Sequence, residues 1–162
     1  MSDQPTVPTA RRGQLVAINR SDGGVPKSQI AEALITESGL EGDRQGNPKV
    51  HGGPDRAVTL YSLEVIQALV SEGHPVGIGT TGENLTVSHL DWNLVVPGVE
   101  VRIGEIRLRI TELATPCFKI KGSFTEEDES RVAPDLHPGW SRACARVLQA
   151  GVVRVGDAVV LL

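Results

Sequence analysis

The sequence predicts a mainly β chain closed or nearly closed into a barrel, with one or a few short helices. Three observations lead there. The 162 residues include 18 glycines and 10 prolines, which cost about 1 and 3 kcal/mol respectively inside a helix and so exclude a bundle or coiled coil. Apolar residues come in short runs separated by turn-forming clusters, as strands do, and a single stretch shows convincing helical spacing. Many short strands must dispose of their edges, and closure does this. The length fits one domain. Residues 1–12, polar and interrupted by proline, are expected to form a disordered tail, with the domain running from 13 to 162.

The elements follow in order. LVAI at 15–18 and AEALIT at 31–36 read as strands, divided by the turn-rich SDGGVPK at 21–27. Residues 38–56 have no usable periodicity, and a loop of that length in a compact domain is usually functional or disordered. AVTLYS at 57–62 reads as a strand. Ser62 then caps a helix whose face is Val65, Ile66, Leu69 and Val70 and whose end is Gly73. ENLTV at 83–87 is a further strand. Residues 99–113 form a hairpin: Val101 and Ile103 alternate on one arm, Ile106, Leu108 and Ile110 on the other, around Gly104-Glu105, with glycine first as a type II′ turn requires. Arg102, Arg107 and Arg109 then share the opposite, solvated face. Residues 122–139, with the acidic run 126–129, read as a mobile surface excursion. Residues 142–150 suit helix or strand. Around Gly156 the chain repeats the hairpin pattern, which suggests a second hairpin.

A formal charge of −4 and two tryptophans, two phenylalanines and one tyrosine supply neither the basic footprint nor the stacking platform of a nucleic-acid binder. The N-terminus lacks a signal-peptide core and no apolar run is long enough to span a bilayer, so a cytoplasmic protein is expected, without nucleic-acid or membrane partners. In that compartment Cys117 and Cys144 are expected as free thiols. Their spacing fits no zinc motif, and the four histidines are scattered. The G-x-G-x-x-G string at 77–82 follows a helix and leads into a strand, the reverse of a dinucleotide fingerprint, so it reads as a turn-rich loop.

Two segments carry chemistry. HGGPDRA at 51–57 joins an imidazole, His51, two permissive glycines, Gly52 and Gly53, and the charged pair Asp55 and Arg56. It suits close backbone approach of an anion or, equally, a tight turn with a surface ion pair. ATPCFKI at 114–120 places Pro116 before Cys117 and Lys119 after it. This thiol reads as a nucleophile or soft metal ligand, or as a small core residue. Cys144, between two alanines, reads as core.

Taken in order, GLEGD at 39–43, HGGPDRAV at 51–58, GENL at 82–85, TPCFKI at 115–120 and RVGD at 154–157 resemble the MOSC family, named for the C-terminal domain of molybdenum cofactor sulfurase. The resemblance runs from about Gln14 to the C-terminus and implies a β-barrel-like domain. It also implies a molybdenum cofactor, molybdopterin, with Cys117 as the metal ligand, and a reductase of small N-hydroxylated compounds. His51 would deliver protons or hydrogen-bond the substrate, and Gly52, Gly53, Arg56, Glu83, Asn84 and Lys119 would line the cofactor or substrate pocket. Relatives often carry an arginine shortly before the Pro-Cys pair; here Leu113-Ala114-Thr115 stands instead, and Arg44, Lys49 or Lys119 is expected to supply the anion contact. Since the chain has no flavin, haem or iron–sulfur signature, electrons would come from a separate donor protein, with the acidic run at 126–129 a candidate dock. The alternatives are a sulfur carrier holding a persulfide on Cys117 and a noncatalytic cofactor-binding module.

Overall fold

The computed structural model describes residues 4–21, 27–43, 53–116 and 118–162, the side chains of Phe118, Lys119 and Glu127 excepted. Seven strands close into a barrel: β1 (Arg12–Arg20), β11 (Ala158–Leu161), β7 (Glu100–Ile103), β8 (Ile106–Leu113), β9 (Ala143–Gln149), β5 (Val58–Ser62) and β6 (Leu85–Ser88), which pairs back onto β1. All neighbours are antiparallel except β5 and β6. A parallel pair needs a crossover, and helix α1 (Leu63–Ser71) lies in it. Beside the barrel, β2 (Ser28–Ile30) extends β1, while β3 (Glu32–Thr36), β4 (Gly39–Leu40) and β10 (Gly151–Arg154) make a second small sheet.

Alternation explains the packing. Val101, Ile103, Ile106, Leu108 and Ile110 are buried while Arg102 and Arg109 between them are exposed. The hairpin turns as expected: Gly104 has φ +52° and Glu105 is not in the positive-φ region, the combination of a type II′ turn. Ser62 Oγ accepts from Val65 N at 3.2 Å and Gly73 ends the helix at φ +97°. The helix buries Val65, Ile66 and Leu69, but Val70, expected beside them, is 51% exposed; it lies about a quarter turn from the centre of the stripe. No helix among the described residues is long and apolar enough to cross a membrane.

Three segments depart from the sequence reading. The stretch from 154 to 158 is not a second hairpin: Arg154 ends β10, which pairs with β3, while Ala158 begins β11 in the barrel. Between them the chain is stapled to β1 by Leu15 N–H to Asp157 O and Gly156 N–H to Leu15 O, both 2.8 Å. The stretch read as a mobile excursion, 122–139, takes up the 3-10 turn Phe118–Ser123 at its end and folds into further 3-10 turns at Thr125–Glu127 and Glu129–Val132, and it buries Phe124 and Val132. Arg131 grips Glu72 with two bonds of 2.8 and 2.7 Å and stacks over Trp140 at 3.9 Å; these bonds hold the Glu72 carboxyl below its ordinary range. The acidic run hid these apolar anchors. Within the segment expected as a tail, Pro5 is buried, Ala10 O accepts from Asp91 N and Arg11 O accepts from Leu161 N.

Candidate functional site

The loop from 77 to 84 is built around a buried carboxylate. Glu83 has no exposed surface; its Oε2 accepts from Gly79 N and Thr86 Oγ1 at 3.0 and 3.1 Å, and its Oε1 from Thr81 Oγ1 at 2.9 Å. Burial raises its pKa against the pull of these donors. Gly79 is required here: φ is +81°, and a Cβ would come within 2.7 Å of Lys27 O. Asn19, also fully buried, donates from Nδ2 to Glu83 O and Thr86 Oγ1, both 3.1 Å, while its Oδ1 has no partner.

Asn84 carries the network outward. Its Oδ1 accepts from Thr59 N at 3.0 Å and its Nδ2 donates to Asp43 Oδ2 at 3.0 Å. Asp43 also accepts from Ser21 N at 2.8 Å and from Lys27 Nζ at 2.6 Å, both members of the ion pair being only 7% exposed. A buried pair of this kind is tolerable because further hydrogen bonds occupy the carboxylate. Asp43, the last residue of GLEGD, thereby ties Ser21 and Lys27 to Asn84.

A second cluster positions the HGGPDR segment. Pro54–Arg56 form a 3-10 turn after Gly53, whose φ is +98° and whose Cβ position faces open space. Asp55 and Arg56 do not pair with each other. Arg146 Nε reaches Asp55 Oδ1 at 2.8 Å, Arg56 pairs with Glu112, and Thr111 Oγ1 bonds the carbonyls of Asp55 and Cys144. The turn thus lies on β8 and β9. Cys144, beneath it, is 6% exposed, and burial raises its thiol pKa, in keeping with a core residue. The two clusters meet at Thr59, which bonds Asn84 and is the register partner of Cys144.

Arg142 is the residue the sequence reading missed. Its Nη1 donates to Thr81 O at 2.7 Å and its Nη2 to Thr115 O at 3.3 Å, while Nε is buried without a partner. No carboxylate lies within ion-pair distance of it among the described residues. This permanent cation joins the glycine-rich loop to the chain two residues before Cys117.

Of the predicted site residues, Gly53, Arg56, Glu83 and Asn84 fall in these two linked clusters. His51, Gly52, Cys117, Arg44, Lys49 and the Lys119 side chain lie outside the described residues. Lys27 and Asn19 also went unnoticed in the sequence, the first because a lysine in a glycine-rich turn signals only a solvated turn. Among the described residues no group of three His, Cys, Asp or Glu side chains converges on a metal position.

The family model for the MOSC domain matches residues 47–160. The chain is 34% identical over 122 residues to protein YiiM of Escherichia coli strain K12, covering 72% of this chain and 54% of YiiM. It is 30% identical over 143 residues to YflK, an uncharacterized protein of Bacillus subtilis strain 168, covering 86% of this chain and 63% of YflK. It therefore spans less than two thirds of either relative. The crystal structure of E. coli YiiM superposes with a TM-score of 0.70 at 25% identity, covering 93% of this chain and 69% of the other.

Proposed function

This chain belongs to the MOSC domain family, and we propose from that premise that it holds a molybdenum-bearing pterin cofactor through Cys117 and Arg142 and reduces small N-hydroxylated compounds. The observation that carries the reading is Arg142, a guanidinium bonded among the described residues only to the carbonyls of Thr81 and Thr115 and buried at an Nε without a partner there. Such a group suits a phosphate-bearing ligand. A soft thiolate at Cys117 suits a molybdenum centre, so the donor set fits the cofactor.

Bound there, the cofactor would supply the two-electron redox chemistry that N–O cleavage needs. The net change is R–NHOH plus two electrons and two protons to R–NH2 and water. The chain's own residues perform the rest. Arg142 offsets anionic charge and, through its two carbonyl bonds, fixes the distance between the glycine-rich loop and the TPC segment. Asp43 and Asn84 hold Ser21, Lys27 and Thr59 together, and His51 is assigned the delivery of protons. Electrons come from a separate protein.

The test is the molybdenum and pterin content of chain expressed in a cofactor-competent host. Wild type should carry both in near-stoichiometric amount, Cys117→Ala should lose the metal, and Arg142→Ala should lose pterin while keeping its fold. Wild type that stays metal-free in that host overturns the reading. A persulfide on Cys117 is the second reading, since Arg142 would also favour that anion. Mass spectrometry after exposure to a cysteine desulfurase, showing the added sulfur on Cys117 in metal-free chain, would select it.

A further inference from the structure

The outer face of the barrel at β1, β11, β7, β8 and β9 carries a charge pattern that the fold does not explain. One row across the sheet, read from the strand registers, runs Arg12, Val160, Arg102, Arg107, Gln149. The neighbouring row runs Glu100, Arg109, Arg146. Two arginine pairs, Arg102 with Arg107 and Arg109 with Arg146, therefore stand directly opposite each other on adjacent strands. Directly opposed like charges destabilise a sheet, whereas opposite charges there stabilise it.

Counter-charge on this face is sparse. Glu100 serves both Arg107 and Arg109, at 3.4 Å each, and Asp55 serves Arg146. Arg12 and Arg102 are exposed and have no ion-pair partner among the described residues. Five arginines thus gather on one face of a chain whose formal net charge is −4. Arg146, the end of the second row, bonds Asp55, so the cationic face reaches the HGGPDR segment and hence the edge of the candidate site.

We propose that this face docks an acidic protein partner. Segregated charge of this kind steers encounter and sets orientation, and a partner's carboxylates would relieve the opposed arginines. The face, rather than the acidic run at 126–129, is then the dock, and the partner is negatively charged. Its identification as the electron donor rests on the redox reading above; the docking itself does not.

A small acidic iron–sulfur ferredoxin is the probe, titrated into the full chain at about 50 and about 200 mM salt. Wild type should bind at low salt and weaken at least tenfold at high salt. Arg102→Glu places a carboxylate opposite Arg107, so it should weaken binding at least tenfold while its Tm stays at or above that of wild type. The combination of lost binding and undiminished fold is what a merely solvated face would not give. Arg154→Glu, an equal charge change on the second sheet, should bind within twofold of wild type. No binding at low salt, or equal binding by Arg102→Glu, overturns the proposal. So does tighter binding of a DNA duplex than of ferredoxin, lost in the same variant, which would make the face a nucleic-acid surface. Molybdenum content is measured on the same samples: ferredoxin binding by chain that takes up no metal keeps the dock and removes the redox reading, and metal uptake without ferredoxin binding does the reverse.

Discussion

Glu83 offers the sharpest test of how the candidate site is held. Its two oxygens accept three hydrogen bonds inside a fully buried pocket, from Gly79 N, Thr81 Oγ1 and Thr86 Oγ1. Glu83→Ala leaves those donors without an acceptor, at about 1–3 kcal/mol each, with some relief as the hydroxyls turn. The expected loss is about 3–5 kcal/mol, roughly 10 °C in Tm for a chain of this size. Glu83→Gln keeps an amide oxygen for Gly79 N, and Thr81 can rotate to accept from the amide nitrogen, so it should cost less than half as much. The two also differ in pH dependence. Burial raises the Glu83 carboxyl above the ordinary value of 4.5, so between the two values the folded chain holds the proton more than the unfolded chain does. Its contribution is fully present below 4.5 and is lost as pH rises through the raised value. Wild-type stability minus that of Glu83→Gln should therefore fall as pH rises. Urea unfolding followed by circular dichroism at several pH values measures both quantities. A glutamine variant as damaged as the alanine variant, or a difference that grows with pH, refutes the reasoning.

Other consequences follow from single contacts. Asp43→Ala removes the partner of a Lys27 ammonium that is 7% exposed and should cost about 3–5 kcal/mol in urea unfolding; a loss under about 1 kcal/mol would show that the ammonium simply turns to water. Gly39→Ala sets a Cβ 2.4 Å from Ala57 O at φ +116°, so a loss of at least about 2 kcal/mol is expected by thermal denaturation. Tyr61→Phe removes the hydroxyl that donates to the Trp140 carbonyl at 2.6 Å and should cost about 1–2 kcal/mol in thermal denaturation. Cys144, with its thiol pKa raised by burial, should resist thiol reagents in folded chain near about pH 8 and react on unfolding; rapid labelling of native chain would contradict the packing of the HGGPDR turn over it.

What could be read from the sequence, and what could not, divides by the range of the interaction. The Gly104-Glu105 turn, the Ser62 cap and the alternation along β7 and β8 are local, so the residues themselves carry them. Alternation states which face of a strand is buried but not which strand lies beside it, and the second hairpin failed on that point: the pattern around Gly156 is that of two strands, and its arms join different sheets. The acidic run at 126–129 misled differently. Its charge is solvated, while the anchors that fold the segment, Phe124 and Val132, flank it without any period.

The candidate site lies at the far end of this range. Asp43 binds partners 16, 22 and 41 residues away, and Arg142 binds partners 61 and 27 residues away. No local pattern signals such a convergence. GLEGD, HGGPDR and GENL still fall around it, because each marks a place where the backbone turns sharply or a buried polar group must be satisfied. GENL holds the loop-building Glu83 and Asn84, GLEGD ends in the residue that ties Ser21 and Lys27 to Asn84, and HGGPDR contributes the turn that Arg146 grips. Glu83, Asn84 and Asp43 thereby spend their polar atoms on the backbone and side chains around them. Arg142 stands outside every string yet bridges Thr81 and Thr115, and this makes its substitution the more incisive one: loss of Glu83 or Asp43 should cost stability, whereas, on the cofactor reading, loss of Arg142 should cost pterin content.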